Sequence, residues 1–368
     1  MARLGLGERW RCTFANDICK KKANTYRFNF PPGNELIVGD VRAVTIEQLP
    51  GHADLAWASF PCQDLSIAGA GAGLEGKHSG AFWSFWELIQ KLNTEQRLPK
   101  IIVLENVVGA IKSNGGHAFQ TILQACITRG YRVGALVVDG VYFKPQSRPR
   151  LFIVCAKANI AIPHSLVATV PSGIWHRQME EAFNTLPQTL KAGWIWWHLP
   201  VPPKRVESLT DVIEDEPIGV EWHKPEETAY LLSLMSELHL YQLRNAQSLN
   251  RRIVGTVYRR MRTDKNGSKQ QRAELRLDGI SGCLRTPVGG SSRQTLLIIE
   301  GERIRSRLLS PREAARLMGL PETYQLPAKY NDAYHISGDG LVVPVVSWLE
   351  THLLWPLAMA PLISTEAA

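Results

Sequence analysis

Three short stretches carry the residues best suited to chemistry. In "ASFPCQDLS" an apolar run ends at Phe60 and passes directly into Pro61-Cys62-Gln63. In "KIIVLENV" a second run ends at Glu105-Asn106-Val107, and "QSRPR" (Gln146 to Arg150) opens a third. In an open α/β sheet, ligands bind outside the carboxyl ends of the strands. A thiol at such an end stands where a nucleophile belongs, although a single cysteine is more often a buried structural thiol. Cys62 is not single in that sense, because a carboxyl (Glu105) and two guanidiniums (Arg148, Arg150) stand at other strand ends. Together they form a set.

The elements that must position this set alternate. "RCTFAN", "ELIVGDV", "ADLAWASF", "KIIVLENV", "RVGALVVDG" and "RLFIVCA" read as strands. In "GAFWSFWELIQKL", Phe82, Phe85, Trp86 and Ile89 recur at helical spacing and read as core, with a ring at the helix start able to touch a ligand. Strand–helix alternation predicts a largely parallel, doubly wound Rossmann-like α/β domain over residues 1–158. Residues 159–304 read as a smaller, irregular module: Pro-rich turns, the tryptophans of "WIWWH" as core, an acidic patch at Glu214 to Glu216, and weak apolar periodicity. From 305 to 368 order returns. "LSPREAARLMGLP" has Ser310 at an N-cap, Pro311 behind it, Glu313 three residues after the cap and Gly319 past the end. "DGLVVPVVSWLETHLL" reads as a closing helix that returns to the first domain.

Composition narrows the partners. The 368 residues are 45% hydrophobic and 21% charged, which suits a sizeable core. The six cysteines show no paired spacing of the kind zinc requires, so no metal site is expected. Runs such as "IIVL" and "LVVPVV" are too short to span a bilayer, and no clear signal-peptide pattern is seen at the N-terminus; a cytoplasmic protein is the default expectation. The net charge of +8 favours a polyanion. From Arg251 to Arg276 nine Lys/Arg face only Asp264 and Glu274, which reads either as a solvated surface or as a phosphate-contacting one.

The ordered set resembles the DNA (cytosine-5-)-methyltransferase family. The motifs are Pro61-Cys62-Gln63, Glu105-Asn106-Val107, Gln146-x-Arg148-x-Arg150, Arg307 to Pro321 and "GDGLVVPVV" from Gly338 to Val346. The resemblance implies an S-adenosylmethionine-dependent methyltransferase domain, with residues 159–304 as target-recognition domain. It implies methyl transfer to carbon 5 of cytosine in double-stranded DNA by a monomer, in modification of the restriction-modification kind. Cys62 would attack carbon 6 so that carbon 5 becomes nucleophilic. Glu105, kept protonated by burial, would hydrogen-bond nitrogen 3. Arg150, helped by Arg148, would hold the base oxygen. The base must be flipped out of the duplex, and the Gly-rich loop after Cys62 would close over it, with Gln63 and Ser66 near the DNA. For the cofactor, Asp17 would take the ribose hydroxyls, Ile18 the adenine face and Asp40 the adenine amino group, with Val41, Pro61, Phe82 and Asp339 completing the pocket. Arg285 and Arg293, with Ser291, Ser292 and Gln294, would read the target.

The chain also departs from the family. The opening "MARLGLG" aligns just after the family's first strand and Phe-x-Gly-x-Gly turn, placing Gly5 and Gly7 in the first helix. Two neighbouring strands would then lack their shared partner, and the expectation is a start downstream of the true one, or a fragment. Asp339 stands where the family usually has Asn, and Cys283-Leu284 where Thr-Leu is common. Two other readings remain at this level: a non-catalytic, N-terminally truncated DNA-binding remnant, and the same chemistry on tRNA.

Overall fold

A computed structural model describes residues 1–60, 80–171, 176–263, 267–287 and 293–363. The chain divides into two compact units. One comprises Met1–Gly5, Gly140–Arg148 and Pro203–Val346; the other comprises Leu6–Asp139, Pro149–Pro202 and Ser347–Ala368.

The second unit holds the sheets expected from the alternating pattern. Strands β1 (Ala15–Asp17) and β2 (Leu36–Val38) pair in parallel. Strands β3 (Leu55–Ser59), β4 (Ile101–Val107), β5 (Tyr131–Asp139) and β6 (Pro149–Lys157) form a sheet of order β3-β4-β6-β5. β3 and β4 are parallel, but β6 runs antiparallel to both neighbours, so the sheet is mixed where a largely parallel one was expected. The reason is connection length. A parallel return needs a crossover of about a dozen residues or more, and only residues 140–148 separate β5 from β6.

β4 opens on four apolar residues, Ile101 to Leu104, and stays buried through Glu105 and Asn106, as a central strand covered on both faces requires. Helix Gly80–Thr94 lays Phe82, Trp86 and Ile89 into the core, and helix His117–Thr128 adds Phe119, Ile122 and Leu123. Among the described residues β1 pairs only with β2, and β3 only with β4. Both strands are less buried than β4.

Residues 159–202 pack with this sheet unit. Strands β7 (Val167–Ala168) and β8 (Trp196–Trp197) pair antiparallel. The segment before β8 closes the outer edge of β5: Val133 N–H donates to Gly193 O and Ile195 N–H to Val133 O, each at 2.8 Å. Gly134 permits this approach, since a Cβ there would meet Ile195 O and the Trp197 ring. The tryptophan cluster is thus core, as expected, although it covers this sheet. The last stretch, from Ser347, also belongs to this unit, so it is discontinuous in sequence. Trp10 Nε1 (3.0 Å) and Arg9 Nη2 (2.5 Å) donate to the buried Glu350 carboxylate there. The helical run Tyr330–Met359 is long and apolar enough to cross a membrane, but 61% of its most apolar window is buried in the protein.

The first unit is more regular than its weak periodicity suggests. Strands β9 (Arg252–Thr263), β10 (Lys269–Arg276), β11 (Thr295–Glu300) and β12 (Arg303–Leu308) form an antiparallel sheet of order β10-β9-β11-β12. Helices Pro225–Ser233 and Glu237–Ser248 supply Leu231, Leu243 and Ala246 to a core with Val257, Leu275, Leu297 and Ile299. Helix Pro311–Leu317 starts as its sequence signature requires. Ser310 accepts from Glu313 N–H (3.1 Å), and Glu313 Oε2 accepts from Ser310 N–H (2.7 Å). Gly319 follows it at φ +74°.

Glu313 has a second task. It grips Arg307 in a bidentate pair (2.8 and 2.6 Å), both side chains being fully buried. Its Oε1 also accepts from Glu214 N–H at 2.8 Å. Removing one partner of such a pair strands the other charge. Glu313→Ala is therefore expected to cost about 3–5 kcal/mol, read as a lowered midpoint in urea unfolding.

Candidate active site

The site begins with strand register. β4 ends at Glu105-Asn106-Val107, and Arg150 at the start of β6 pairs with Val107. Because β6 is antiparallel, its first residues lie beside the last residues of β4. Glu105 pairs with Phe152 and Arg150 with Val107, so Glu105 and Arg150 are diagonal neighbours on one face. Arg150 Nε lies 3.2 Å from Glu105 Oε1, with the side chains 15% and 10% exposed. Glu105 is also level with Ser59, the last residue of β3. The chain leaves β3 through Phe60 and enters Pro61-Cys62-Gln63. Pro61, Cys62, Gln63 and Ser66 lie outside the described residues.

On the other sheet, Asp17 ends β1, and Asp40 follows β2 after Gly39. Asn16 Nδ2 ties the two strand ends together, donating to Ile37 O and Gly39 O at 3.0 Å each. Asp17 Oδ1 accepts from Cys19 N–H at 2.7 Å, which turns the chain into helix Lys20–Asn29. Ile18, between them, is 68% exposed. Arg42 Nη2 reaches Asp40 Oδ2 at 2.5 Å, and Arg42 N–H donates to Oδ1 at 2.9 Å. Arg42's side-chain bonds first, then its backbone N–H, hold the pKa of the Asp40 carboxyl at about 2. Two carboxylates and an exposed aliphatic at adjacent parallel strand ends suit the hydroxyls, amino group and flat ring of a nucleoside. Val41 is half-buried in the turn after Asp40. Phe82, expected in the cofactor pocket, is completely buried, packed on Phe60 (ring centroids 5.4 Å) and stacked with Trp86 (6.0 Å). It is a core ring.

In the first unit Arg148 differs from the helper expected beside Arg150. Its side chain is buried and its donors meet backbone carbonyls: Nη2 to Gly338 O (2.8 Å) and Gly340 O (2.7 Å), Nη1 to Leu284 O (2.8 Å) and Nε to Gly340 O (3.1 Å). Such saturation makes Arg148 an anchor of backbone. Gln146, fully buried, completes the grip: its Oε1 accepts from Leu284 N–H (3.3 Å), and its Nε2 donates to Leu317 O (2.9 Å). Both backbone polar groups of Leu284 are thus held by one motif. Gln146 drew no role from sequence, and its only signal was membership of that motif.

Arg285 follows Leu284 and makes no hydrogen bond or ion pair among the described residues. Its backbone runs against Gly338, where a Cβ would meet Arg285 C and Thr286 N at 2.6 Å. Asp339 ends helix Tyr330–Asp339, with His335 Nδ1 3.3 Å from its Oδ2. Arg293 Nη2 donates to Asn331 Oδ1 at 2.6 Å, and its guanidinium lies 5.8 Å from the centre of the Tyr330 ring. Among the described residues there is no cluster of metal-ligating side chains.

The mixed α/β fold is consistent with that of the S-adenosylmethionine-dependent methyltransferases. A sequence model of the C-5 cytosine-specific DNA methylases matches residues 2–354, and the chain belongs to that family of enzymes. It is 26% identical over 339 residues to the type II methyltransferase M.Bsp6I of Bacillus sp. (strain RFL6), covering 90% of this chain and 88% of that protein. It is 23% identical over 340 residues to M.HhaI of Haemophilus parahaemolyticus, covering 92% and 86%. Among solved structures, the Dnmt2 methyltransferase of S. pombe superposes with TM-score 0.53 at 19% identity, covering 94% of this chain and 91% of that one. A putative DNA modification methyltransferase of an E. coli prophage gives 0.53 at 16%, covering 95% and 93%.

The anchoring role of Arg148 has a direct test. Arg148→Lys keeps the charge but loses the planar fork that serves several carbonyls at once. It is expected to destabilise the fold by about 2–4 kcal/mol, leaving buried carbonyls unpaired at about 1–3 kcal/mol each. Urea unfolding at constant m-value checks this.

Proposed function

We propose that this protein transfers a methyl group from S-adenosylmethionine to carbon 5 of cytosine in duplex DNA, through a covalent adduct with Cys62. The observation that carries this reading is the Glu105–Arg150 pair, held at the carboxyl edge of β4. It stands level with the end of the strand that leads to Cys62.

The chemistry assigns each residue a task. Cytosine carbon 5 is a weak nucleophile. The Cys62 thiolate adds to carbon 6, and the electrons of the 5,6 double bond move toward carbon 5 and the ring. Glu105 in its protonated form donates to nitrogen 3, and Arg150 holds the base oxygen where charge grows. Entry of the base divides a pair that otherwise satisfies itself. S-adenosylmethionine, when bound, supplies the methyl group. A water molecule then takes the carbon-5 proton as base, the double bond re-forms and Cys62 departs as the thiolate. Asp17 and Asp40 hold the ribose and adenine of the cofactor, with Ile18 and Val41 beside the ring and Pro61 completing the pocket.

The target base must leave the stack, at a cost of roughly a few kcal/mol. Gln63 and Ser66 act near the DNA, and Arg285 and Arg293 take part in target recognition. Protective modification of DNA in the cytoplasm by a monomer fits relatives named type II methyltransferases.

Tritiated cofactor with duplex DNA or total tRNA tests the reading. Label is expected on DNA and not on tRNA. Cys62→Ser is expected to abolish it, and Glu105→Gln to lower the single-turnover rate by roughly 10²–10⁴-fold, the usual range for one general acid. Label on tRNA alone would overturn the substrate. DNA binding with no label from the unaltered chain would favour a non-catalytic binding protein.

A further inference from the structure

The hairpin β9–β10 is longer than the sheet that holds it. β11 pairs with β9 only from Arg252 to Val257. Beyond that point, among the described residues, Tyr258–Thr263 pairs with β10 alone, in the register Arg260 with Arg272 and Arg262 with Gln270. The outer half is therefore a two-stranded ribbon, and Arg260, Met261, Arg262 and Thr263 are exposed. Met261 is 59% exposed.

Its charge is one-sided. In the described ribbon, Arg259, Arg260, Arg262, Lys269 and Arg272 stand with one carboxylate, Glu274. Antiparallel register puts Arg260, Arg262 and Arg272 on one face. Arg260 and Arg272 are directly opposite, an arrangement that opposes strand pairing. Glu274 is shared by Arg260 (3.3 Å) and Arg262. One carboxylate for three guanidiniums leaves the face cationic, at the expense of the ribbon's own stability. The base of the same face is tied to the segment bearing Arg285: Tyr258 OH donates to Cys283 O at 2.7 Å.

We infer that the outer half of hairpin β9–β10 is an arm that contacts the phosphates of duplex DNA. Arg260, Arg262 and Arg272 are the contacting groups, and Glu274 offsets part of the charge of two of them. A two-stranded ribbon has the dimensions to lie along a DNA groove. Guanidiniums contacting phosphates displace condensed counterions and supply affinity without reading sequence. This inference rests on the reading of duplex DNA as substrate.

The test is equilibrium binding of the full chain to a fluorescent duplex across a salt series, with a tRNA as second probe. Arg260→Gln/Arg262→Gln/Arg272→Gln is expected to flatten the plot of log affinity against log salt by about 2–3 units, near 0.9 per phosphate contact. It should weaken binding at least roughly tenfold at 0.1 M salt. Arg177→Gln, at an exposed arginine of the other unit, is expected to change neither. Glu274→Gln is expected to strengthen binding, a result that no loss of folding could mimic. Unchanged slope and affinity in the triple variant, with the unaltered chain binding duplex, would overturn the arm and leave the methyltransferase reading standing. So would weaker binding by Glu274→Gln. No duplex binding by the unaltered chain, or ribbon-dependent binding to tRNA alone, would overturn the duplex reading and the arm with it.

Discussion

The candidate catalytic pair depends on the direction of one strand. β6 spans nine residues, Pro149–Lys157. At about 3.3 Å per residue that is roughly 30 Å of extended chain. Run parallel to β4, it would place Arg150 at the far edge of the sheet from Glu105. Run antiparallel, it brings the two side chains to 3.2 Å. No side-chain preference of arginine or glutamate contributes to that choice. It follows from the short excursion between β5 and β6, which leaves no length for a crossover.

That excursion also divides a single motif between two tasks. Arg150 belongs to the sheet and faces Glu105. Gln146 and Arg148 belong to the other compact unit and hold both backbone polar groups of Leu284. Three residues at period two look equivalent in one dimension. The buried carbonyls around Arg148 distinguish it, because each would cost about 1–3 kcal/mol if left unpaired. The segment so fixed carries Arg285 and, through Cys283, meets the Tyr258 hydroxyl at the foot of the arginine ribbon.

The distribution of charge matters more than its sum. Of the cations behind the net +8, Arg307 and Arg148 are buried and occupied internally. Arg260 and Arg262 stand in solvent on the ribbon. Buried guanidiniums are tolerated because carboxylate or carbonyl partners surround them. The exposed ones concentrate positive field on the ribbon.

Much of this protein is written locally. The six strands, the core face with Phe82, Trp86 and Ile89, and the capped helix at Ser310 follow from periodicity and cap chemistry, which act over a few residues. The ordered motifs around Cys62, Glu105 and Arg150 place the chain in its family, because their types and order are themselves one-dimensional. The mixed sheet, the anchoring by Arg148 and the packing of residues 159–202 against β5 were decided by tertiary structure. So was the four-stranded sheet of the other unit, whose strand β11 draws its core partners from helices much earlier in the chain. Each depends on contacts between residues far apart in sequence, where burial and hydrogen-bond satisfaction outweigh local preference.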